Sequence, residues 1–425
     1  LRALLSLYRE AWSSLPASIW WLCSVALVNR AGSMVVPFLT LWLTRNLGMD
    51  LATAGWLMAC FGAGSMAGSY LGGRWTDRFG ALPVQFASLA GSGVLFVLLG
   101  RLESAVVIGV VLALLGLFAD AFRPANFAML ANNTPPELRN KAFALARLAV
   151  NLGWSIGPAV GGLLARHSYA ALFWIDGTTS IAAAVLLVGI RHRLRSGPRA
   201  VSAKESSSPF RDPPYLLAMV ASFAIGMVFM QFFFTMPLHY SQSYGLEEDS
   251  IGMLTALNSV LIILFEMTLV HAVAGCRRLR LVALGSILFA VGFGMMPFGS
   301  SIGFAALSVA IWTVGEMLES PSLMGWCSVR AGANGRGAYM GLLAMVHSLA
   351  FLLAPLVGTA VFKEYGPTTL WLGCGVLGSV AAGGFLIADR LAHRDPRGDE
   401  IESPTSAHGE PMSEPQSVAG EQRAQ

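Results

Sequence analysis

The sequence predicts an all-α membrane protein, twelve transmembrane helices in two pseudo-symmetric six-helix bundles. Three observations carry that prediction. Hydrophobic residue types make up 55 % of the 425 residues and charged types only 12 %. A soluble domain is about 25 % charged, so this chain has too little polar material to coat a water-facing surface. Apolar runs of about 20 residues, the length that crosses a bilayer as a helix, recur twelve times. Finally, the two halves of the chain match at a constant shift of 197 residues.

The runs are 18–43, 52–73, 82–100, 105–131, 142–165, 170–190, 215–238, 250–274, 280–298, 302–329, 337–362 and 367–388. Strands would leave backbone groups unpaired in lipid, so each run is read as a helix. Pro37, Pro124, Pro158, Pro237, Pro321 and Pro355 fall inside runs. Membrane helices tolerate such breaks where neighbours satisfy the freed carbonyls. The first run is too long for a cleavable signal peptide. Five scattered cysteines, Cys23, Cys60, Cys276, Cys327 and Cys374, have no metal-ligand or redox spacing and read as packing residues. No metal and no cofactor are expected.

Lys and Arg fix the expected orientation. Of the 28, 21 fall on the side that holds both termini, six of them between 191 and 214. The opposite loops hold only Arg45, Arg101, Arg166 and Lys363. Both termini are therefore expected in the cytoplasm and the protein in the plasma (inner) membrane. Residues 1–190 form one bundle, the basic, Ser- and Pro-rich stretch 191–214 a linker, and 215–390 the second bundle. The polar segment 391–425, rich in Glu, Ser and Pro, reads as a disordered tail.

The shift pairs Gly48 with Gly245, Gly55 with Gly252, Leu57 with Leu254, Pro124 with Pro321, Arg139 with Arg336, Pro158 with Pro355 and Gly161 with Gly358. Two parallel copies of a six-helix unit imply an axis along the membrane normal. That symmetry is a transporter signature, with a binding site between the halves near the midplane.

Two short motifs carry a family resemblance. The loop Gly73-Arg74-Trp75-Thr76-Asp77-Arg78-Phe79-Gly80 resembles the G-x-x-x-D-R-x-G loop of major facilitator transporters. The resemblance implies that Gly73, Asp77, Arg78 and Gly80 help latch the halves on the cytoplasmic side, although the basic residues that follow in the family are replaced by Ala81, Leu82 and Pro83. The fifth run contains Gly153, Gly157, Pro158, Gly161 and Gly162 in the order G-x-x-x-G-P-x-x-G-G, similar to the pattern of the family's antiporters. Small residues let helices approach, and Pro158 bends the span; the same pattern also serves as a packing motif. Arg336 to Gly341 is similar to bacterial multidrug-resistance members. Asn29-Arg30 sits where proton-coupled peptide transporters carry E-x-x-E-R, without either acid.

Ionisable groups inside spans cost several kcal/mol unless they face a cavity or a partner. Arg30, Asp120, Arg123, Glu266, Glu316 and Glu319, with the polar Asn29 and Gln231, are therefore the candidate substrate and proton site. Asp120 and Arg123, spaced i, i+3, either neutralise each other or share the site. Glu266 either pairs with Arg30 across the pore or makes a helix–helix contact. Glu316 and Glu319, one turn apart on one face, either couple protons or stand as structural acids. Asn258 and His347 are further polar candidates, and Trp154, Phe229, Met230, Phe232, Phe233, Trp312 and Met317 offer an adaptable apolar lining.

Four acids against two cations favour protons and a cationic or neutral amphipathic substrate. The resemblance then implies a monomeric, proton-coupled exporter of small molecules working by alternating access. A proton-coupled uptake symporter for peptides or other small nutrients is the alternative. Nothing in the sequence matches a zinc-ligand helix, a nucleophile elbow or a phosphate loop, so no enzyme and no nucleic-acid partner are expected.

Overall fold

The computed structural model describes residues 15–135, 138–194, 209–273 and 275–394. Residues 195–208 of the linker and the tail beyond 394 lie outside the described residues. Twelve crossings are present among them. Span 1 is Ala17–Asn46, span 2 Leu51–Phe79, span 3 Ala81–Leu99 and span 4 Ala105–Asn132. Span 5 is Arg139–Ala165, span 6 Tyr169–Gly189, span 7 Pro213–Phe234 and span 8 Glu248–Ala272. Span 9 is Arg278–Gly294 and span 10 Ile302–Arg330. The last helix, Gly332–His393, is broken at Gly366 (φ 84°), giving span 11 (332–365) and span 12 (367–393). Only glycine adopts that φ without strain, and it lets the chain reverse between two crossings without a loop.

Spans 1 and 7 are not continuous. Span 1 is Ala17–Ala31, a break over Gly32–Met34, then Val35–Leu41 and a π-helical turn Trp42–Asn46. Span 7 stops at Phe234 and resumes as Met236–Gln242. Spans 1–6 pack on one another, as do spans 7–12, and the two sets meet where span 2 lies on span 11 and span 5 on span 8.

The repeat governs these meeting lines residue by residue. A Cβ on Gly252 would stand 2.3 Å from the Pro158 carbonyl oxygen and 3.0 Å from the Gly162 Cα. A Cβ on Gly55 would meet Thr359 Oγ1 at 2.1 Å and the Pro355 carbonyl oxygen at 3.3 Å. Positions 55 and 252, 158 and 355, and 162 and 359 are all related by the shift of 197. Gly48 and Gly245, the first pair of the repeat, share a left-handed backbone (φ 64° and 66°). Each is followed within three residues by the acid that precedes a span. Asp50 caps span 2 through the Ala52 N–H at 3.1 Å, and Glu247 stands at the same place before span 8.

Within the second half a buried ion pair anchors the end nearest the termini. Arg330 Nε donates to Asp212 Oδ2 at 2.8 Å and its second nitrogen to Oδ1 at 2.7 Å, while the Tyr339 hydroxyl donates to Oδ2 at 2.9 Å. The Tyr215 hydroxyl in turn donates to the Tyr339 carbonyl at 2.5 Å. Spans 7, 10 and 11 are thereby tied to the residue on which the linker ends.

Candidate functional site

The candidate residues gather on the seam between the halves in two groups. In the first, Arg30 of span 1 lies with its guanidinium 5.9 Å from the Trp154 ring centre of span 5. Trp154 meets Phe233 of span 7 edge to face at 5.7 Å, so the aromatic contact crosses the seam. Arg30 lies within electrostatic range of Arg123, Asp120 and Asp176, and Arg123 within range of His347 of span 11. Asp120 and Arg123 form no ion pair with each other among the described residues, although their spacing allows one. His347 Nε2 is 3.4 Å from the Ser222 hydroxyl.

The second group lines spans 5, 8 and 10. Glu266 pairs with Arg147, not with Arg30. Arg30 is drawn away to the Trp154 face of its own half, whereas span 5 carries Arg147 directly onto span 8. Asn258 of span 8 donates to Glu316 Oε2 at 2.8 Å and to Thr313 Oγ1 at 3.1 Å. Glu319 turns away from Glu316 toward span 9, where its Cβ would lie 2.9 Å from one added to Gly285. It is buried, and its Oε1 has no hydrogen-bond partner. The two acids thus share a helix but not one environment.

Other expected residues make hydrogen bonds or ring contacts within one half. Gln231 Nε2 donates to the Met227 and Ala354 carbonyls, and its Oε1 accepts from Thr235 at 2.7 Å. Its polar atoms are consumed between spans 7 and 11. Asn29 accepts from Ser180 at 3.3 Å. Trp312 and Met317 are buried within the second half, Trp312 in an aromatic stack with Phe232, Phe289 and Phe293. Trp154, Phe229, Met230 and Phe233 remain half-buried.

In the fifth span the motif glycines divide between two neighbours. Gly153, Gly157 and Gly161 lie against Arg30, Ser33 and Met34 of span 1, while Pro158 and Gly162 lie against Gly252 and Glu248 of span 8. The loop motif makes no such contact: Asp77 and Arg78 are exposed, and a Cβ on Gly73 would meet nothing within 4 Å. No ion pair joins Asp77 or Arg78 to the second half among the described residues, because in this state the halves are clasped at the other end.

That clasp, at the face opposite the termini (the distal face), was not anticipated from the sequence. Arg166 reaches Glu247 at 2.8 Å and Asp249 at 3.2 Å, Arg45 reaches Glu248 at 3.0 Å, and Lys363 reaches Asp50 at 3.5 Å. The Tyr169 hydroxyl adds a 3.0 Å bond to Glu248. Every one of these joins first half to second. Arg166 and Lys363 are repeat mates, as are Glu247 and Asp50, so two of the pairs are symmetry copies. The Thr53 hydroxyl, and then the Ala52 and Thr53 N–H groups, hold the Asp50 carboxyl below its ordinary value. The signal was available, since three of the four cations left on the sparse side of the charge count are the ones that clasp.

Asp176 is also absent from the sequence-derived set, although an acid inside an apolar span meets the criterion applied to the others. Its Oδ2 accepts from the Met34 and Val35 N–H groups at 3.2 and 3.0 Å. A surface groove of about 420 Å³ lies elsewhere, between spans 2 and 4 among Trp56, Cys60, Val106 and Val110 on the apolar exterior. It holds none of the ionisable groups.

Comparison with known proteins adds three findings. The family model described as Major Facilitator Superfamily matches residues 22–355. The chain is 24 % identical over 366 residues to the uncharacterized MFS-type transporter YqjV of Bacillus subtilis, covering 84 % of this chain and 89 % of that one. It is 22 % identical over 393 residues (83 % and 90 %) to a Na(+), Li(+), K(+)/H(+) antiporter of Planococcus maritimus, and 23 % identical over 343 residues (77 % and 85 %) to multidrug resistance protein 1 of B. subtilis. In three dimensions it is similar to the peptide transporter POT in complex with sulfate, with a TM-score of 0.76 at 16 % identity over 91 % of this chain and 96 % of that one. The nucleoside transporter NupG is likewise similar, with a TM-score of 0.75 at 13 % identity (87 % and 99 %).

Proposed function

Because the chain belongs to the Major Facilitator Superfamily and is thus a multi-pass secondary transporter, we propose that it exports small amphipathic or cationic molecules in exchange for protons. The observation that carries this reading is the pair of acids on span 10. Glu316 is held at the seam by Asn258, and Glu319 is buried with an oxygen that has no donor. An ionised carboxylate in a low-dielectric interior needs a cation or donors. Among the described residues Glu319 Oε1 has no donor and no cation pairs with the carboxyl, so the state fits the protonated form, and a change of environment on opening would release the proton.

The half-buried aromatic surface of Trp154, Phe229 and Phe233 suits an amphipathic ligand, and Glu316 a cationic one. Proton and substrate would then compete for the seam, each shifting the equilibrium only through its differential affinity for the two states. Relatives named as a cation/proton antiporter and as multidrug resistance proteins support exchange over uptake. The charge distribution supports a cytoplasmic location for both termini, in a plasma membrane, and the seam within one chain supports a monomer. The alternative is proton-coupled uptake of peptides or other small nutrients. It draws on Arg30 and Arg123, which have no carboxylate within ion-pair distance among the described residues and would receive a substrate carboxylate.

The test is proton movement in proteoliposomes with an internal pH dye under imposed gradients of lipophilic cations. Proton counterflow driven by the solute, and lost in Glu316→Gln or Glu319→Gln, is the expected result. Protons moving in the same direction as solute would transfer the assignment to uptake. Full counterflow in both variants would end the role given to span 10.

A further inference from the structure

Span 1 breaks in the middle of the membrane, and what satisfies the break is not in span 1. The first piece ends at Ala31, and Gly32 fits there only because it lacks a side chain: a Cβ would stand 1.8 Å from Thr179 Oγ1. The second piece, Val35–Leu41, starts with no cap of its own from Met34. Its first N–H, that of Val35, and the Met34 N–H donate instead to the carboxyl of Asp176, two turns into span 6. Asp176 is 1 % exposed. It is therefore a buried carboxyl seated on the positive end of a helix piece, and when it is ionised the arrangement stabilises both.

Few charges surround this carboxyl. Arg30 is the charged side chain that interacts with it among the described residues, itself in range of Asp120 and Arg123 on span 4. Span 3, on the other side of span 6, carries no titratable residue, nor does Val35–Leu41. The charged residues of span 5, Arg139, Lys141 and Arg147, all lie in its first third, toward the face that holds the termini. The capped piece leads directly through Trp42–Asn46 to Arg45, which clasps Glu248. Its face carries Met34 and Phe38 onto Gly161. A single carboxylate thus holds the segment that joins Arg30 on the seam to Arg45 on the distal clasp.

We propose that Asp176 is a second proton-binding site, separate from the span 10 acids, and that its charge sets the bend of span 1. Ionised, it fixes Met34 and Val35 and keeps Arg30 oriented. A proton added to Oδ2 removes the charge from the cap, weakens both N–H bonds and frees the distal piece with Arg45. Asp176 acts through span 1 and Arg30, and is a positioning residue. The proposal does not depend on the direction of transport or on coupling at Glu316 and Glu319.

Hydrogen–deuterium exchange of the full chain in nanodiscs tests it, read on peptides covering 33–46 and normalised to the intrinsic rate at each pH. In the wild type these amides should be protected at alkaline pH and exchange roughly three- to tenfold faster after acidification, the factor expected for loss of a helix cap. In Asp176→Asn the faster rate should hold at every pH. Glu316→Gln and Glu319→Gln should keep the wild-type response even where proton counterflow is lost, so failure of span 10 coupling is read separately. A wild-type profile flat with pH overturns the proposal without any variant. So does a pH response that survives Asp176→Asn, or one abolished by the span 10 substitutions alone.

Discussion

Arg166 is the residue on which the distal clasp leans most, because it alone serves two acids across the seam. Its pairs with Glu247 and Asp249 are half-exposed, with side-chain exposures of 50 % against 58 % and 17 %. Exposed ion pairs contribute about 0.2–1 kcal/mol each, so Arg166→Gln should destabilise the distally closed state by roughly 0.4–2 kcal/mol. With tenfold per 1.4 kcal/mol, the closed-to-open ratio should fall about two- to thirtyfold. Spin labels at the exposed Glu103 and Ser300, one on each half at that face, read the ratio as a distance distribution in nanodiscs. The long-distance population should grow in Arg166→Gln. At about 1 M salt, where the screening length is about 3 Å, the wild type should move toward the variant. In a Glu247→Gln, Asp249→Asn background the arginine substitution should have no further effect. An unchanged distribution in Arg166→Gln, or a shift as large in that background as in the wild type, would refute the clasp as the element that holds the face shut.

Further expectations follow from the same packing. Gly252→Ala places a methyl against the Pro158 carbonyl, and overpacking of this kind costs about 1–3 kcal/mol; the same spin labels should report opening. Asp212→Asn breaks a buried pair and should lower stability by roughly 3–5 kcal/mol, seen as a lower thermal unfolding midpoint, with Tyr339→Phe showing a smaller loss. Arg147→Gln strands Glu266 at the seam and should reduce exchange in proteoliposomes, with Glu266→Gln in the same background recovering part of it. Since the Asp50 carboxyl is held below its ordinary value, its contribution is complete above that value and is lost only as pH falls through the lowered one. The effect of Asp50→Asn on the distance distribution should therefore be equal at about pH 5 and pH 8.

The fold was legible because lipid imposes the plainest rule in protein structure: cross it as an apolar helix or not at all. Span boundaries, the halving of the chain and the pairing of Gly55 with Gly252 all follow from runs and a fixed shift. The site was legible only as an inventory. That Arg30, Asp120, Arg123, Glu266, Glu316 and Glu319 sit inside spans is a matter of reading; which of them meet depends on helix rotation and on state. Glu266 finds Arg147 because span 5 carries that residue onto span 8, and Gln231 is spent on carbonyls because span 7 packs on span 11 there. The clasp escaped notice because its members lie just beyond the ends of the apolar runs, where charge looks ordinary until both halves are folded. Asp176 escaped because its partners are backbone N–H groups, which no side-chain pattern announces.

The matched meeting lines bear on what one polypeptide permits that two copies would not. Span 2 offers span 11 the edge that span 8 offers span 5, with glycine facing a proline carbonyl in both and an acid facing a cation beyond it. Two identical copies of such a half would each present both edges, and would close on one another as a homodimer. Here the partner is carried on the same polypeptide, which frees each edge to diverge alone. Glycine stands at 162 where threonine stands at 359, and arginine at 166 where lysine stands at 363. Carried on one polypeptide, the symmetry need not be exact, and the two seams differ in the side chains that line them.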